Sequence, residues 1–223
     1  MGELIDVKRP DGNTCPAYLV NPNPGASAPG FVMIQEWWGL NDQIKGVAER
    51  LAGEGYRVLV PDLYRGKKAA NADEAGQLMG GLDFLDAGTQ DVRGCVQHLK
   101  QSSRKAAVGG FCLGGAVTVI AAVHVPEADA AVCFYGIPPV SAADPAKVRM
   151  PFQGHFASKD DWCTPAAVDA LDAALKKGGV EHEIHRYEAH HAFLNEARPE
   201  VYDRACAELA WQRMKSFLAK TIG

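Results

Sequence analysis

One stretch decides how this chain folds: Ala106-Ala-Val-Gly-Gly-Phe-Cys-Leu-Gly-Gly-Ala-Val-Thr-Val-Ile-Ala-Ala-Val123. Gly110 and Gly114 lie two residues to either side of Cys112, which is the spacing of a sharp turn from a strand into a helix with a nucleophile at its tip. Such a turn presents the cysteine at the helix N-terminus, where the macrodipole favours the thiolate. It also leaves the backbone N–H of Leu113 free to bind an oxyanion. The stretch therefore predicts a strand, a tight turn with a nucleophile, and a helix.

Three other interpretations of this stretch compete with the nucleophilic one. A membrane span has a similar length, but four glycines interrupt the 18 residues. A dinucleotide-binding or phosphate-binding loop needs glycine spacings that positions 109, 110, 114 and 115 do not match. A buried structural cysteine is the more serious competitor, because free cysteine is among the most buried residue types.

The composition indicates one globular domain that acts on small molecules. The chain has 223 residues, of which 47% are hydrophobic and 22% charged, and no Pro/Gly/Ser-rich linker divides it, so we predict a single domain over residues 1–223. A net charge of -4 with both signs dispersed predicts neither nucleic-acid nor membrane binding. The first residues lack the basic and apolar regions of a leader, which predicts a cytoplasmic protein. The oligomeric state stays open, and a monomer fits this composition.

The cysteines and histidines give no sign of a metal or a disulfide framework. The six cysteines are scattered singly without C-x-x-C spacing, and we expect them to be reduced and mostly buried. No histidine or carboxylate spacing is typical of a metal site, and the chemistry predicted below needs no cofactor. His155 lies within a predicted strand, where we expect a hydrogen-bonded core histidine.

Strand and helix patterns alternate along the chain. It opens with two extended runs, 3–8 and 14–20, joined by a turn sequence, which predicts an antiparallel hairpin at a sheet edge. Further strands are predicted at 30–35, 57–60, 106–111, 130–135, 150–157 and 182–187. Helices are predicted from the N-cap Asn41 to residue 53, in turns over 73–85, around 92–99, after the turn at Cys112, at 165–177 and from 199 to 218. The turn at Cys112 is called the elbow below. This alternation predicts a mostly parallel sheet with helices on both faces.

Polar residues follow four of the predicted strands, where sites in such folds lie. They are Glu36, Cys112, the pair Asp160 and Asp161, and the pair His190 and His191. The chain order nucleophile, acid, histidine is that of the α/β-hydrolases. The strand ends therefore predict a Cys-His-Asp triad on an α/β-hydrolase fold.

Four segments together resemble the dienelactone hydrolase (carboxymethylenebutenolidase) family. They are Gln35-Glu-Trp-Trp-Gly-Leu-Asn41, Pro61-Asp-Leu-Tyr64, Gly110-Phe-Cys-Leu-Gly-Gly115 and His191-Ala-Phe193. The likeness extends over nearly the whole chain, and its most specific element is the glutamate loop paired with a cysteine elbow. The resemblance implies a hydrolase that cleaves a lactone or carboxylic ester.

The same resemblance assigns roles to Cys112, His191, an aspartate, Glu36 and two backbone N–H groups. Cys112 would be the nucleophile that forms an acyl-enzyme, and His191, oriented by an aspartate, would be the general base and acid. The backbone N–H groups of Trp37 and Leu113 would form the oxyanion hole. Glu36 would hold the resting thiol and release it when substrate binds.

The aspartate and the histidine each have a neighbour of the same type. The family's acid follows the pattern G-x-x-D-x-x-V-P or G-x-x-D-D-W-T-P, and the segment 157–165 matches neither without a shift. Counting from the strand end favours Asp160, and counting back from the proline gives Asp161 as the alternative. The pattern H-[SAG]-F places the catalytic histidine at His191, with His190 as a polar pocket wall.

We expect Trp38, Tyr64, Trp162 and Asn195 to line the substrate pocket. Asn195 lies four residues past the histidine, where the family has an arginine that binds the substrate carboxylate. The absence of this arginine predicts that dienelactone, which carries a free carboxylate, is a poor substrate compared with neutral esters or lactones of similar size. The exception would be a basic residue that reaches the pocket from elsewhere: Arg65, Lys67, Lys68 or Arg198.

Two alternative functions use the same residues. Cys112 could serve a thiol-redox or peroxide-handling protein, although no resolving cysteine is evident. A hydrolase fold that only binds a ligand is the other alternative. The presence of Cys, Glu, Asp and His together favours the enzyme.

Overall fold

The computed structural model describes residues 2–22 and 28–223, so residues 1 and 23–27 of the predicted domain lie outside the described part. Eight strands form one sheet in the order β1-β2-β4-β3-β5-β6-β7-β8. Their bounds are β1 Glu3–Lys8, β2 Thr14–Val20, β3 Gly30–Ile34, β4 Arg57–Pro61, β5 Ala106–Phe111, β6 Ala130–Phe134, β7 Phe152–Lys159 and β8 His182–His190. β1 and β2 are antiparallel at one edge, and β4, β3 and β5 to β8 run parallel to one another. This confirms the predicted sheet with its N-terminal hairpin.

Helices cover both faces of the sheet. They are α1 Asp42–Gly53, α2 Ala72–Gly80, the short turn α3 Phe84–Asp86, α4 Arg93–Lys100, α5 Leu113–His124, α6 Pro165–Lys177 and α7 Arg204–Thr221, with a π-helical segment at Ala87–Val92 between α3 and α4. Buried side chains of α1 and α7 form one apolar cluster, and those of α4, α5 and α6 form the other.

The alternation of side chains in the central strands explains the two clusters. In β3, Phe31 and Met33 pack on the side of α1 and α7, whereas Val32 and Ile34 pack on the side of α4 and α5. All five residues of β3 are buried, as expected for a parallel strand covered on both faces. In the part of the chain that the structure describes, no helix is long and apolar enough to cross a membrane.

Several element boundaries differ from the predicted ones, and those of the last helix, β7 and β8 differ most. The last helix begins at Arg204, not at 199, because the side chain of Asp203 accepts a hydrogen bond from the N–H of Cys206 and caps the helix there. β7 begins and ends two residues later than predicted, and β8 extends to His190. Asp160 and His191 are therefore the first residues after these two neighbouring strands.

Candidate active site

Cys112 lies in the turn between β5 and α5. Its backbone has φ 56° and ψ -115°, a strained conformation for a residue with a side chain. Its N–H donates to the carbonyl of Phe134 at 3.0 Å. A Cβ at Gly114 would overlap the carbonyl oxygen of Ile34, and one at Gly136 would overlap that of Cys112. The turn predicted from the glycine spacing is present, and close backbone packing holds it.

His191 connects Cys112 with Asp160. Its Nδ1 lies 2.7 Å from Oδ2 of Asp160, and the Cys112 side chain is close enough to the imidazole to raise its pKa. The other carboxylate oxygen of Asp160 accepts the backbone N–H groups of Trp162 and Cys163 at 2.8 and 2.9 Å. All polar atoms of the Asp160 carboxylate are therefore bound, and its side chain is fully buried.

The two neighbours, Asp161 and His190, are exposed residues of the cavity wall. The structure thus places Asp160, not Asp161, against His191. Counting from the end of the strand gave this register, because Asp160 follows the last residue of β7 directly.

The pKa values of the Asp160–His191 pair move apart. Burial disfavours the Asp160 carboxylate, but its hydrogen bonds to His191 and to two backbone N–H groups outweigh burial and lower its pKa. Burial also disfavours the His191 imidazolium, yet the hydrogen bond to Asp160 and the neighbouring Cys112 side chain raise its pKa to about 10. At neutral pH the aspartate is ionised, and the imidazole readily holds a second proton.

Glu36 is a buried carboxylate in the loop after β3. Its Oε1 accepts from the Tyr135 hydroxyl at 3.2 Å, and its Oε2 accepts from the Asn195 amide at 2.6 Å. Burial raises the pKa of Glu36, and its hydrogen bonds with Asn195 and Tyr135 and the charge of His191 counteract only part of this effect. Tyr135 in turn packs edge-on against the His191 ring at a centroid distance of 5.2 Å. The carboxylate is thus held by two neutral donors beside the imidazole.

Trp37 and Leu113, the predicted oxyanion donors, each line a cavity that Cys112 also lines. Leu113 is the first residue of α5, and Trp37 follows Glu36 in the loop after β3. Among residues 2–22 and 28–223, no backbone carbonyl accepts from the backbone N–H of either residue. Both N–H groups are therefore candidates to bind a ligand oxygen.

Two cavities meet at the cysteine and are named here the polar arm and the apolar arm. Both are lined by Cys112, His191, Met79 and Trp162. The polar arm has a volume of about 400 Å³, and its further lining residues are Glu36, Trp37, Ala72, Lys159, Asp161, His190, Ala192, Arg198 and Val201. The apolar arm has a volume of about 650 Å³, and its further lining residues are Phe84, Leu113, Ala116, Ile120, Tyr135, Gly136, Ile137, Pro138, Pro139, Ala142 and Cys163.

Of the four predicted pocket residues, Trp162 lines both arms, whereas Tyr64, Asn195 and Trp38 are not among the lining residues of either arm. Tyr64 is buried in an apolar cluster, and burial and the nearby Cys112 raise the pKa of its hydroxyl. Asn195 is 2% exposed, and its amide donates to Glu36. Trp38 is partly exposed, with the guanidinium of Arg198 over its ring at 5.9 Å. A role of these three residues in substrate binding stays a prediction.

Two basic residues, Arg198 and Lys159, line the polar arm. Arg198, one of the four named from the sequence, lines this arm, with its Nε paired to Glu200 at 2.8 Å. Arg65 lies elsewhere, paired to the buried Asp91 at 2.8 Å. Lys159 was not predicted; as the last residue of β7 it shares the strand-end signal that identified Asp160.

The sheet order, the cysteine elbow and the strand-end residues define an α/β-hydrolase. The sequence model of the Dienelactone hydrolase family matches residues 15–222. The chain belongs to the dienelactone hydrolase family, and it is a hydrolase of esters or lactones.

Known proteins resemble it over the whole length. It is 34% identical over 233 residues to Protein usf of Aquifex pyrophilus, which covers 100% of both chains. It is 31% identical to an Aquifex aeolicus protein provisionally named as a carboxymethylenebutenolidase, covering 98% of this chain and 100% of that one. A Klebsiella pneumoniae crystal structure provisionally named as a dienelactone hydrolase superposes with a TM-score of 0.88 at 26% identity, covering 98% of each chain.

Proposed function

We propose that this protein hydrolyses a lactone or carboxylic ester through a Cys112-His191-Asp160 triad and an acyl-enzyme on Cys112. The observation that supports this most strongly is a set of three groups: the Cys112 thiol and the His191 imidazole line the same cavity, and that imidazole lies 2.7 Å from the buried Asp160 carboxylate. That set opens on both arms of the cavity, so a substrate carbonyl can reach the sulfur.

The proposed reaction has two halves. The Cys112 sulfur attacks the ester carbonyl carbon, and the N–H groups of Leu113 and Trp37 stabilise the oxyanion. The carbon–oxygen bond to the alcohol breaks as His191 donates a proton to the leaving oxygen. Water then attacks the thioester while His191 accepts its proton, and the acid and the free thiolate are released. Asp160 keeps the imidazole oriented throughout.

Glu36 is proposed to control the resting thiol. In this structure both of its oxygens accept from Tyr135 and Asn195. A carboxylate directed at Cys112 would oppose the thiolate by charge repulsion. We propose that the observed position of Glu36, bound to Tyr135 and Asn195, allows His191 rather than Glu36 to interact with the Cys112 thiol.

Intact mass spectrometry during turnover tests the proposed function. A short aryl ester and an unsaturated lactone are mixed with the enzyme, and the protein mass is recorded within the first turnovers. A mass gain equal to the acyl group, mapped to Cys112, is expected. A gain of oxygen atoms would instead support a thiol-redox protein, and binding without turnover would support a ligand-binding fold.

We expect Asp160→Asn to lower kcat by at least about tenfold and to move the alkaline limb of the pH profile, because the amide cannot stabilise the imidazolium. In the unaltered enzyme His191 keeps the proton for the leaving group up to its pKa of about 10. In the variant the limb should move toward the unperturbed value of about 6.5. Values of kcat/KM measured from pH 6 to 11 for both enzymes show the position of the alkaline limb.

Asp161→Asn is the matched control and should keep both the rate and the alkaline limb of the pH profile.

The free energy of unfolding supplies a second readout. Because the folded-state pKa of His191 is raised, the contribution of His191 to stability is complete below about pH 6.5 and is lost as the pH rises to about 10. Asp160→Asn should remove this pH dependence. A larger effect of Asp161→Asn would contradict the assignment.

Arg198 is expected to set the response to acid substrates. Asn195 leaves no arginine at the family's position, but Arg198 reaches the polar arm, which is the exception that the sequence allowed. We expect Arg198→Gln to lower kcat/KM for an acid substrate about tenfold, since a charge-assisted hydrogen bond contributes about 1.5 kcal/mol or more. The neutral methyl ester of the same substrate should change little. Equal losses for acid and ester would contradict this role, and the exposed Arg104→Gln is the control.

A further inference from the structure

The apolar arm contains no Asp, Glu, Lys or Arg among its lining residues. Its far wall consists of Phe84, Ile120, Ile137, Pro138 and Pro139, whereas the Asp, Glu, Lys and Arg side chains that line the cavities all lie in the polar arm. The two arms therefore divide the surroundings of one sulfur atom into an apolar half and a polar half.

The wall of the apolar arm contains restricted and closely packed residues. Pro138 and Pro139 follow one another in the loop after β6, and proline fixes the backbone angle φ. Ile120 is fully buried in α5 and packs against the π-helical segment, where a Cβ at Gly88 would come within 2.7 Å of it. At about 650 Å³ the apolar arm falls within the usual range for drug-sized ligands, so a small lactone ring alone would leave much of it unfilled.

An exposed aromatic side chain lines the same arm. Trp162 is 71% exposed, although a large apolar ring is usually buried. An exposed apolar side chain at the edge of an apolar cavity fits the binding of an apolar ligand.

We propose that the apolar arm binds a hydrocarbon chain or aryl group of the substrate, so that this enzyme favours esters with a chain of several carbons. This inference rests on the proposed function, because it places the ester carbonyl at Cys112 with the chain extending past Leu113 toward Ile120. The polar arm then holds the hydrophilic part of the substrate. The chain could belong to the acid or to the alcohol, and both would make the same apolar contacts.

Two series of esters test the proposal. In one, the acyl group of 4-nitrophenyl esters is lengthened from acetate to octanoate; in the other, the alcohol of alkyl acetates is lengthened over the same range. In one of the series kcat/KM should rise about fourfold for each added methylene, which corresponds to about 0.8 kcal/mol. The series that responds identifies the side of the ester that enters the arm.

Ala142→Phe should remove this dependence, because the added ring fills the apolar arm where Ala142 lines it as a partly exposed residue. Ala142→Leu, a smaller change, should reduce the dependence in part. Ala72→Phe, in the wall of the polar arm, is the matched control and should keep the slope, whatever its rate with acetate.

The outcomes separate this inference from the proposed function. Hydrolysis of acetate with a flat dependence in both series would overturn the apolar-arm proposal and leave the hydrolase mechanism intact. A slope that persists in Ala142→Phe would also overturn it. Absence of both turnover and an acyl adduct with every ester would overturn the proposed function and this inference together.

Discussion

Cys112→Ala is expected to lower ester turnover by at least about three orders of magnitude and to leave the free energy of unfolding within about 1 kcal/mol. The variant lacks the proposed nucleophile, while the partly exposed position loses little packing. Initial rates and chemical denaturation measure the two quantities. A structural cysteine would give the opposite result, with activity retained and stability lost.

Alkylation gives an independent view of the same residue. Cys15, Cys95, Cys133 and Cys163 are buried, and burial raises the pKa of each of these thiols. Limited iodoacetamide treatment with peptide mapping should therefore label Cys112 first. The partly exposed Cys206 is the control, because burial also raises the pKa of its thiol. Preferential labelling of any other cysteine would contradict the proposed nucleophile.

His191→Ala should lower kcat by at least about two orders of magnitude, the scale of lost general acid–base catalysis. Its imidazole is the group that contacts both Cys112 and Asp160. Steady-state rates with one aryl ester, together with the pH dependence of alkylation at Cys112, measure the effect. The alkylation profile should change because the imidazolium beside the sulfur is lost.

His190→Ala is the matched comparison, since it removes the same ring one residue away. His190 is exposed and lines the polar arm. We expect this variant to change kcat by less than about tenfold, with any effect concentrated in KM. Similar losses of kcat in both variants would mean that the imidazole at 191 has no special role.

The sequence predicted most of the fold because its signals are local. Apolar runs, the Asn41 cap and the glycines around Cys112 each act within a few residues, and the hairpin follows from one turn sequence. The cap at Asp203 was also readable, but the apolar pattern extended past it and suggested an earlier start. Hydrogen bonding of Asp203 to the N–H of Cys206 decided the boundary.

The position of the candidate residues along the chain was predictable, and their orientation was not. Counting from strand ends identified the residues around Cys112, because parallel strands end at one edge of the sheet. Which side chains face the cavity depends on packing across the sheet. Tyr64 packs into the core, Asn195 binds Glu36, and Arg198 reaches the polar arm from a loop. The apolar arm combines α2, α3, α5 and the loop after β6, which no local pattern brings together.

Main-chain atoms hold the elbow. Gly114 packs on the carbonyl oxygen of Ile34 in β3, and Gly136 packs on that of Cys112, so three neighbouring strands position the sulfur without side chains. Ala142 and Ala72, which line the arms, take no part in these backbone contacts. Laboratory evolution of this enzyme can therefore exchange residues such as Ala142 and Ala72 to obtain new substrate ranges, while a change at Gly114 or Gly136 would displace Cys112 itself.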